Sequence, residues 1–271
     1  MVRYLRASRL ILHIFLALFL LVITGSLWNS NTRLVKKTTR WWLNKTTRII
    51  GVEIHVSGTI PEHKANSGIL YISNHISWLD IPVIGGLESL NFLSKAEVQK
   101  WPLIGKLAEG TGTLFIRRGT GDADTISGKM ADYLTQGRSV LFFPEGTTSD
   151  GSKVKRFHSK LFRVTQHTPA PLCPIAIHYS VEGEPGNPAA FIGDDEFTTH
   201  LWKLLGYPTI TVNVQFLPLR NMNDGTLEAS VRTLRDEISE TVSRLNDGIN
   251  TNSRSLGAST HGDQGARATS C

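Results

Sequence analysis

The chain has 271 residues, 40% of them hydrophobic and 19% charged, a composition that fits one large globular domain or two small ones. Its two cysteines, Cys173 and Cys271, exclude a disulfide framework and a cysteine-based zinc site and fit a reducing compartment. A formal net charge of +6 points to an anionic partner surface, whether nucleic acid, lipid headgroups or phosphate-bearing substrates.

Residues Leu10 to Ile23 are apolar except for His13, and Trp28 stands at the end of the run. Arg3, Arg6 and Arg9 precede it; Arg33, Lys36, Lys37, Arg40, Lys45 and Arg48 follow. No small-x-small cleavage site is evident, so residues 1–30 read as a retained membrane-anchoring helix rather than a signal peptide or a buried soluble helix. Positive charge flanks both ends, which leaves open whether the helix spans the bilayer or dips into one leaflet. Residues 31–50, with Trp41, Trp42 and Leu43 among the basic side chains, form either an interfacial amphipathic stretch or a surface helix of the globular part.

From Gly51 the pattern alternates between strands and helices. Strands are expected at 52–56, 69–73, 91–93, 114–116, 140–143, 172–179, 189–193 and 209–217. Pro174 argues that its strand is at an edge or irregular. Helices are expected at 122–136, stopped by Gly137, and at 161–167. Leu227, Val231, Leu234, Ile238, Val242 and Leu245 mark one face of a last helix, a stripe that reads as core packing. Residues 250–271 are mostly small and polar and are expected to be a disordered tail. The alternation predicts a single α/β domain over 51–249, with a central sheet flanked by helices.

The stretch Ser73-Asn74-His75-Ile76-Ser77-Trp78-Leu79-Asp80 follows an apolar strand. Imidazole takes a proton readily near neutral pH, and a carboxylate on its far nitrogen fixes the tautomer and stabilises the imidazolium. That is the orienting half of a Ser-His-Asp triad without an evident nucleophilic side chain, so the substrate's own hydroxyl would serve as nucleophile. Five residues along a straight helix would turn the two side chains apart, so the pair requires a turn or a helix start. The alternative is a satisfied loop histidine beside a helix-capping aspartate.

Three later segments lie at strand ends. Gly112-Thr113-Leu114-Phe115-Ile116-Arg117-Arg118 brings guanidinium groups suited to a phosphate, or simply two solvated arginines. In Phe143-Pro144-Glu145-Gly146-Thr147, a glutamate at the end of a buried strand needs a partner or a ligand; the bland reading is a solvated turn carboxylate. Leu172-Cys173-Pro174-Ile175 supplies an apolar wall.

In this order, the four segments resemble the glycerolipid acyltransferase family, and within it the bacterial 1-acylglycerol-3-phosphate acyltransferases. His75 through Asp80 matches the family's His-x4-Asp motif; Gly112 to Arg118, Phe143 to Thr147 and Cys173-Pro174-Ile175 match its later blocks. The resemblance covers roughly residues 51–219. It implies a glycerolipid-acyltransferase-like domain behind a membrane helix on the cytoplasmic face of the inner membrane. It implies acyl transfer from acyl-CoA or acyl carrier protein to a lysolipid hydroxyl, 1-acyl-sn-glycerol-3-phosphate first. His75 and Asp80 would be catalytic, Arg118, Glu145, Gly146 and Thr147 would bind the acceptor, and Asn74 and Arg117 are secondary candidates. No metal or cofactor is implied, and no nucleic-acid partner.

One departure matters. Many members carry an arginine two positions after the third block's glycine, where this chain has Thr148, followed by Ser149-Asp150-Gly151. The variant resembles a branch that includes lyso-ornithine lipid acyltransferases. Either Arg117, Arg118, Lys153, Lys155 or Arg156 replaces the missing cation, or the acceptor differs. Outside transferases, the rival readings are a non-catalytic membrane lipid-binding protein and a lipid hydrolase.

Overall fold

The computed structural model describes residues 1–63, 67–117, 122–222 and 225–258. Seven strands form one mixed sheet: β1 (Val52–Gly58), β2 (Leu70–Ser73), β3 (Asn91–Lys95), β4 (Leu114–Ile116), β5 (Val140–Phe142), β6 (Leu172–Ser180) and β7 (Ile210–Phe216). Their spatial order is β1-β7-β6-β2-β5-β3-β4. Strands β6, β2, β5, β3 and β4 run parallel, β7 is antiparallel to β6, and β1 is parallel to β7. In the register, Ile72 faces Phe142 on β5 and Ser73 faces Ile175 on β6. The chain therefore leaves β2 and β5 side by side at one edge, where open parallel sheets place their ligands.

Both faces of the sheet are covered, which is why β2 and β5 read as unbroken apolar runs rather than alternating ones. Side-chain alternation still sorts them. Tyr71 points into the layer that holds Ile50, Ile84, Ile177 and Leu204, while Leu70 and Ile72 point into the layer of Met130, Phe142, Phe162 and Ile238. The first layer is closed by helices α2 (Arg33–Ile50), α3 (Asp80–Leu87) and α8 (Phe197–Leu204). The second is closed by α6 (Ala123–Thr135), a 3-10 turn at Ser159–Arg163 and α9 (Leu227–Ala258). Val231, Leu234, Ile238 and Val242 are the buried stripe of α9, as the sequence spacing requires. Short helices α4 (Ala96–Gln99), α5 (Ile104–Gly110) and α7 (Val164–His167) complete the fold.

Helix α1 (Val2–Ile23) is, among the described residues, the one helix long and apolar enough to cross a membrane. It folds back on α2 as an antiparallel hairpin. His13 stacks on Trp42, their ring centroids 4.9 Å apart. Trp42 Nε1–H donates to His13 O at 2.9 Å, and His13 Nε2 lies 3.0 Å from Trp42 O. The polar interruption in the apolar run is thus a helix–helix clamp. Its outward face, with Leu12, Phe15, Phe19 and Val22, is exposed. Helix α2 shows its apolar and small side to α1 and α3 and its basic side outward, so it is a helix of the folded body with a charged surface.

Of the two readings of Pro174, the irregular strand holds and the edge does not: β6 is central, between β7 and β2. Its missing N–H falls at a break in the ladder: Leu172 pairs with Arg220 and Ile175 with Phe216, so three steps on β6 answer four on the facing chain, a bulge that tolerates proline. Residues 189–193 form turns rather than a strand, because their hydrogen bonds go to the loop after β2: Phe191 N–H donates to Ile76 O at 3.0 Å. Finally, α9 carries helical backbone through Ala258, past the expected boundary at 249, and residues 259–271 lie outside the described residues.

Two glycine substitutions test this packing in opposite directions. A methyl group on Gly86 in α3 would stand 2.9 Å from the Asn44 backbone of α2, so Gly86→Ala is expected to cost about 1–3 kcal/mol in denaturant unfolding. Gly128 lies inside α6 with open space around it, so Gly128→Ala is expected to add about 0.5–1 kcal/mol.

Candidate active site

After β2 the backbone leaves the sheet as an irregular loop, and α3 begins at Asp80. That helix start solves the five-residue spacing: Asp80 turns back over the loop and meets His75 Nδ1 through Oδ2 at 2.7 Å. The same oxygen accepts the N–H of Ile76 at 2.8 Å and of Ser77 at 3.1 Å. The other oxygen, Oδ1, accepts the Tyr179 hydroxyl at 2.8 Å. Asp80 is fully buried, and four donors replace its lost water. Burial and then the Asp80 charge hold the Tyr179 phenol well above its ordinary range, so it remains a donor. With the carboxylate on Nδ1, the imidazole proton sits there and Nε2 carries the free lone pair.

The His75 ring lies flat on Phe143, with centroids 3.8 Å apart and planes 9° from parallel. Phe143 follows β5, and Glu145 follows in the next turn, closed by Gly146 at φ 71° with its N–H on Phe143 O at 3.1 Å. Glu145 is buried and accepts two backbone N–H groups: His75 to Oε1 at 2.8 Å and Lys155 to Oε2 at 2.9 Å. Burial raises its carboxyl above the ordinary range, and those two N–H groups offset part of the rise. Its visible task is to tie the loop after β5 to the histidine backbone. Asn74 does the same toward β6, donating to Ile177 O at 2.9 Å and accepting Ile177 N–H at 2.8 Å.

A strap over residues 187–200 closes the far side. Ser149 N–H donates to His75 O at 2.8 Å, Phe191 N–H to Ile76 O, and the Thr148 hydroxyl to Phe191 O. Beneath the strap, Trp78 Nε1–H donates to His200 Nδ1 at 3.0 Å, and His200 Nε2 reaches Ala190 O at 2.9 Å. Burial lowers the His200 pKa, which favours the neutral ring that this pairing uses.

The structure brings His75, Asp80, Asn74, Glu145 and Gly146 together, and leaves Thr147 exposed on the same turn. Arg117 is exposed beyond β4, at the same edge of the sheet but three strands from β2, a distance of about 14 Å at normal strand spacing. Arg118 lies outside the described residues. The replacement cations Lys153, Lys155 and Arg156 are all exposed, and Lys155 donates through Nζ to Thr148 O at 2.8 Å. The N–H groups of His75, Ile76, Ser77 and Gly146 are already bonded to Glu145, Asp80 and Phe143 and so are not open to a developing oxyanion. Sequence reasoning missed Tyr179 and the strap. Nothing marks Tyr179 except its place at the end of the strand that follows the fourth block.

The family described as Acyltransferase matches residues 51–178, the span that holds every residue of the His75 and Glu145 segments. A lyso-ornithine lipid O-acyltransferase of Pseudomonas aeruginosa is 44% identical over 186 residues, covering 69% of this chain and 70% of that protein. A 1-acyl-sn-glycerol-3-phosphate acyltransferase of Neisseria meningitidis is 29% identical over 194 residues, covering 71% of this chain and 74% of that one. The crystal structure of a 1-acyl-sn-glycerophosphate acyltransferase, PlsC, from Thermotoga maritima superposes with a TM-score of 0.63 at 18% identity, over 89% of this chain and 98% of that one, and shows the same fold. The chain is an enzyme of the acyltransferase family.

Proposed function

We propose that the protein transfers an acyl group from a thioester, on coenzyme A or acyl carrier protein, to the free hydroxyl of a lysolipid. The observation that carries this reading is the His75–Asp80 pair, with its ring presented and its carboxylate buried. His75 Nε2 takes the hydroxyl proton as the lipid oxygen attacks the thioester carbonyl. The tetrahedral intermediate collapses with cleavage of the C–S bond. The imidazolium then returns the proton to the departing thiolate, leaving an ester and a free thiol. Asp80 holds the tautomer and stabilises the imidazolium without taking the proton. Phe143 keeps the ring from rotating out of line. The exposed Thr147 on the Gly146 turn contacts the acceptor, and the arginines beyond β4 attract its anionic headgroup. This chemistry draws on no metal or cofactor.

The first acceptor reading is 1-acyl-sn-glycerol-3-phosphate. A specific feature favours a second, lyso-ornithine lipid: position 148 carries a threonine whose hydroxyl is turned inward to Phe191 O, so it offers no charge to a phosphate monoester. A panel of both lysolipids against acyl-CoA and acyl carrier protein donors, read by product mass, separates the two. Turnover of neither acceptor overturns the function.

For the membrane, we infer that α1 lies along the domain in one leaflet on the cytoplasmic side of the inner membrane. Both of its ends hold the folded body: Arg6 Nη2 donates to Pro208 O at 2.7 Å near the start, and beyond the end Ser30 Oγ accepts from Arg138 Nη2 at 3.2 Å. A helix crossing the bilayer would have to release one end. Cysteines placed at Val2 and at Trp28, in a Cys271→Ser background, are expected to react equally with an impermeant maleimide from the domain's side of sealed vesicles. Protection of one end only refutes the in-plane reading.

In purified protein, His75→Ala is expected to abolish transfer, and Asp80→Asn to lower kcat by about 10³–10⁴-fold. Tyr179→Phe, which removes one donor to Asp80, is expected to lower kcat/KM by about tenfold or more, as loss of a hydrogen bond to a charged group does. Glu145 gives a pH signature. Its folded pKa is raised, so its contribution to stability is full below the ordinary glutamate pKa and is lost as pH rises through the folded value. The stability difference between the wild type and Glu145→Gln should therefore shift against the wild type as pH rises above the ordinary glutamate range in a denaturant series. A difference independent of pH would show that Glu145 folds with an unshifted carboxyl.

A further inference from the structure

A small cavity of mixed polar and apolar lining lies at the opposite edge of the sheet from His75. It has a volume of about 20 Å³ and opens between α2 and the start of β3, with Ser30, Lys36, Thr39, Arg40 and Asn91 on its polar side and Leu43 and Leu90 on its apolar side. No residue of the His75 site reaches it: Asn91 begins β3, whereas His75 and Glu145 follow the ends of β2 and β5.

The wall of this cavity is cationic. Arg138 stands behind it, only 7% exposed, with Nε on Asn91 Oδ1 at 3.1 Å and Nη2 on Ser30 Oγ at 3.2 Å. Its guanidinium lies 3.6 Å over the Tyr133 ring. Among the described residues no carboxylate pairs with it. Buried arginines ordinarily have such a partner. Lys36 is also partly buried; burial and then the nearby Arg138 charge lower its pKa, so the two cations repel across the cavity mouth. Glu88 is the acidic group whose charge meets that of Arg40; its Oε1 takes His63 Nε2 at 3.1 Å and the Ser89 N–H at 2.7 Å. Lys36 and Lys37 occupy the first turns of α2, which holds no acidic residue there, so the positive end of the helix dipole adds to the same field.

The arrangement is built rather than incidental. Gly112, at φ +76°, leaves the space that Arg138 Nη2, Ser30 Oγ and Asn91 Nδ2 fill; a methyl group there would stand 2.2 Å from the guanidinium. Asn91 Nδ2 is fixed by Thr111 O at 2.8 Å, which aims its Oδ1 at Arg138. Ser30 belongs to the α1–α2 connection, which also carries the exposed Leu27 and Trp28.

We propose that this cavity binds a phosphate group, with Lys36 and Arg40 at its mouth, the hydroxyls of Ser30 and Thr39 as donors, and Arg138 supplying charge from behind. The group is carried either by a phospholipid headgroup or by free phosphate. Because Ser30 links the α1–α2 turn to Arg138, occupation of the cavity joins the membrane hairpin to the sheet.

Calorimetric titration of the full chain in uncharged detergent tests this with two probes, inorganic phosphate and dihexanoylphosphatidylglycerol. Saturable binding of at least one probe is expected, weakened tenfold or more by Lys36→Ala and by Arg40→Ala, and retained by His75→Ala. Binding of phosphatidylglycerol alone assigns the site to a lipid headgroup, and binding of inorganic phosphate assigns it to the free anion; either supports the site. Arg138→Met is the stronger perturbation, but the two surface-side variants decide the matter should it fail to fold. Saturable binding of neither probe, equal affinity in the wild type and both surface-side variants, or loss of binding in His75→Ala overturns the proposal.

Discussion

One buried carboxylate sets the shape of everything around it. Asp80 has no contact with solvent, so its charge is tolerable only because an imidazole, two main-chain amides and a phenol surround it. Those donors come from the loop after β2 and from the end of β6. To satisfy Asp80 the loop must curl back, and once it does, the His75 ring has a single orientation. The imidazole is therefore ordered by desolvation and hydrogen bonding before any substrate arrives, and binding need not supply that order.

Around this centre a second set of contacts works on backbone rather than side chains. Glu145 holds the amide of His75, Asn74 exchanges both bonds with Ile177, and Ser149 and the strap at Phe191 take the carbonyls of His75 and Ile76. The geometry of the His75 site thus rests on ordinary accounting for amide groups at the ends of parallel strands. Glu145 illustrates the difference between an expected and an observed task. A buried turn glutamate needs partners, and here the partners are the protein's own N–H groups.

Much of this was legible in the chain. The apolar runs expected as strands at 69–73 and 140–143 are β2 and β5, and the His-x4-Asp spacing required a turn or a helix start, which is where α3 begins. The stripe of α9 and the polar His13 in an apolar helix were visible as patterns, although the clamp to Trp42 was not. What stayed hidden depended on distant partners. Residues 189–193 have strand-like composition, yet their hydrogen bonds are taken by the site loop. Pro174 signals an edge or an irregular strand, and only the distant pairing partner shows that it is the second, a bulge in the middle of the sheet. Tyr179 and Arg138 carry no local signal, because each owes its role to a residue about fifty to a hundred positions away.

The donor set of Asp80 also has a temporal consequence. Its phenol lies 99 positions after the carboxylate, and the strap follows later still. During synthesis the histidine and the acid emerge before that phenol, with the apolar hairpin ahead of them. Until β6 has left the ribosome, the carboxylate lacks its Tyr179 bond and Asn74 has no strand to grip. A nascent chain would thus carry an imidazole and a carboxylate without their full set of partners, and the arrangement would close only after the strap at 187–200 has emerged.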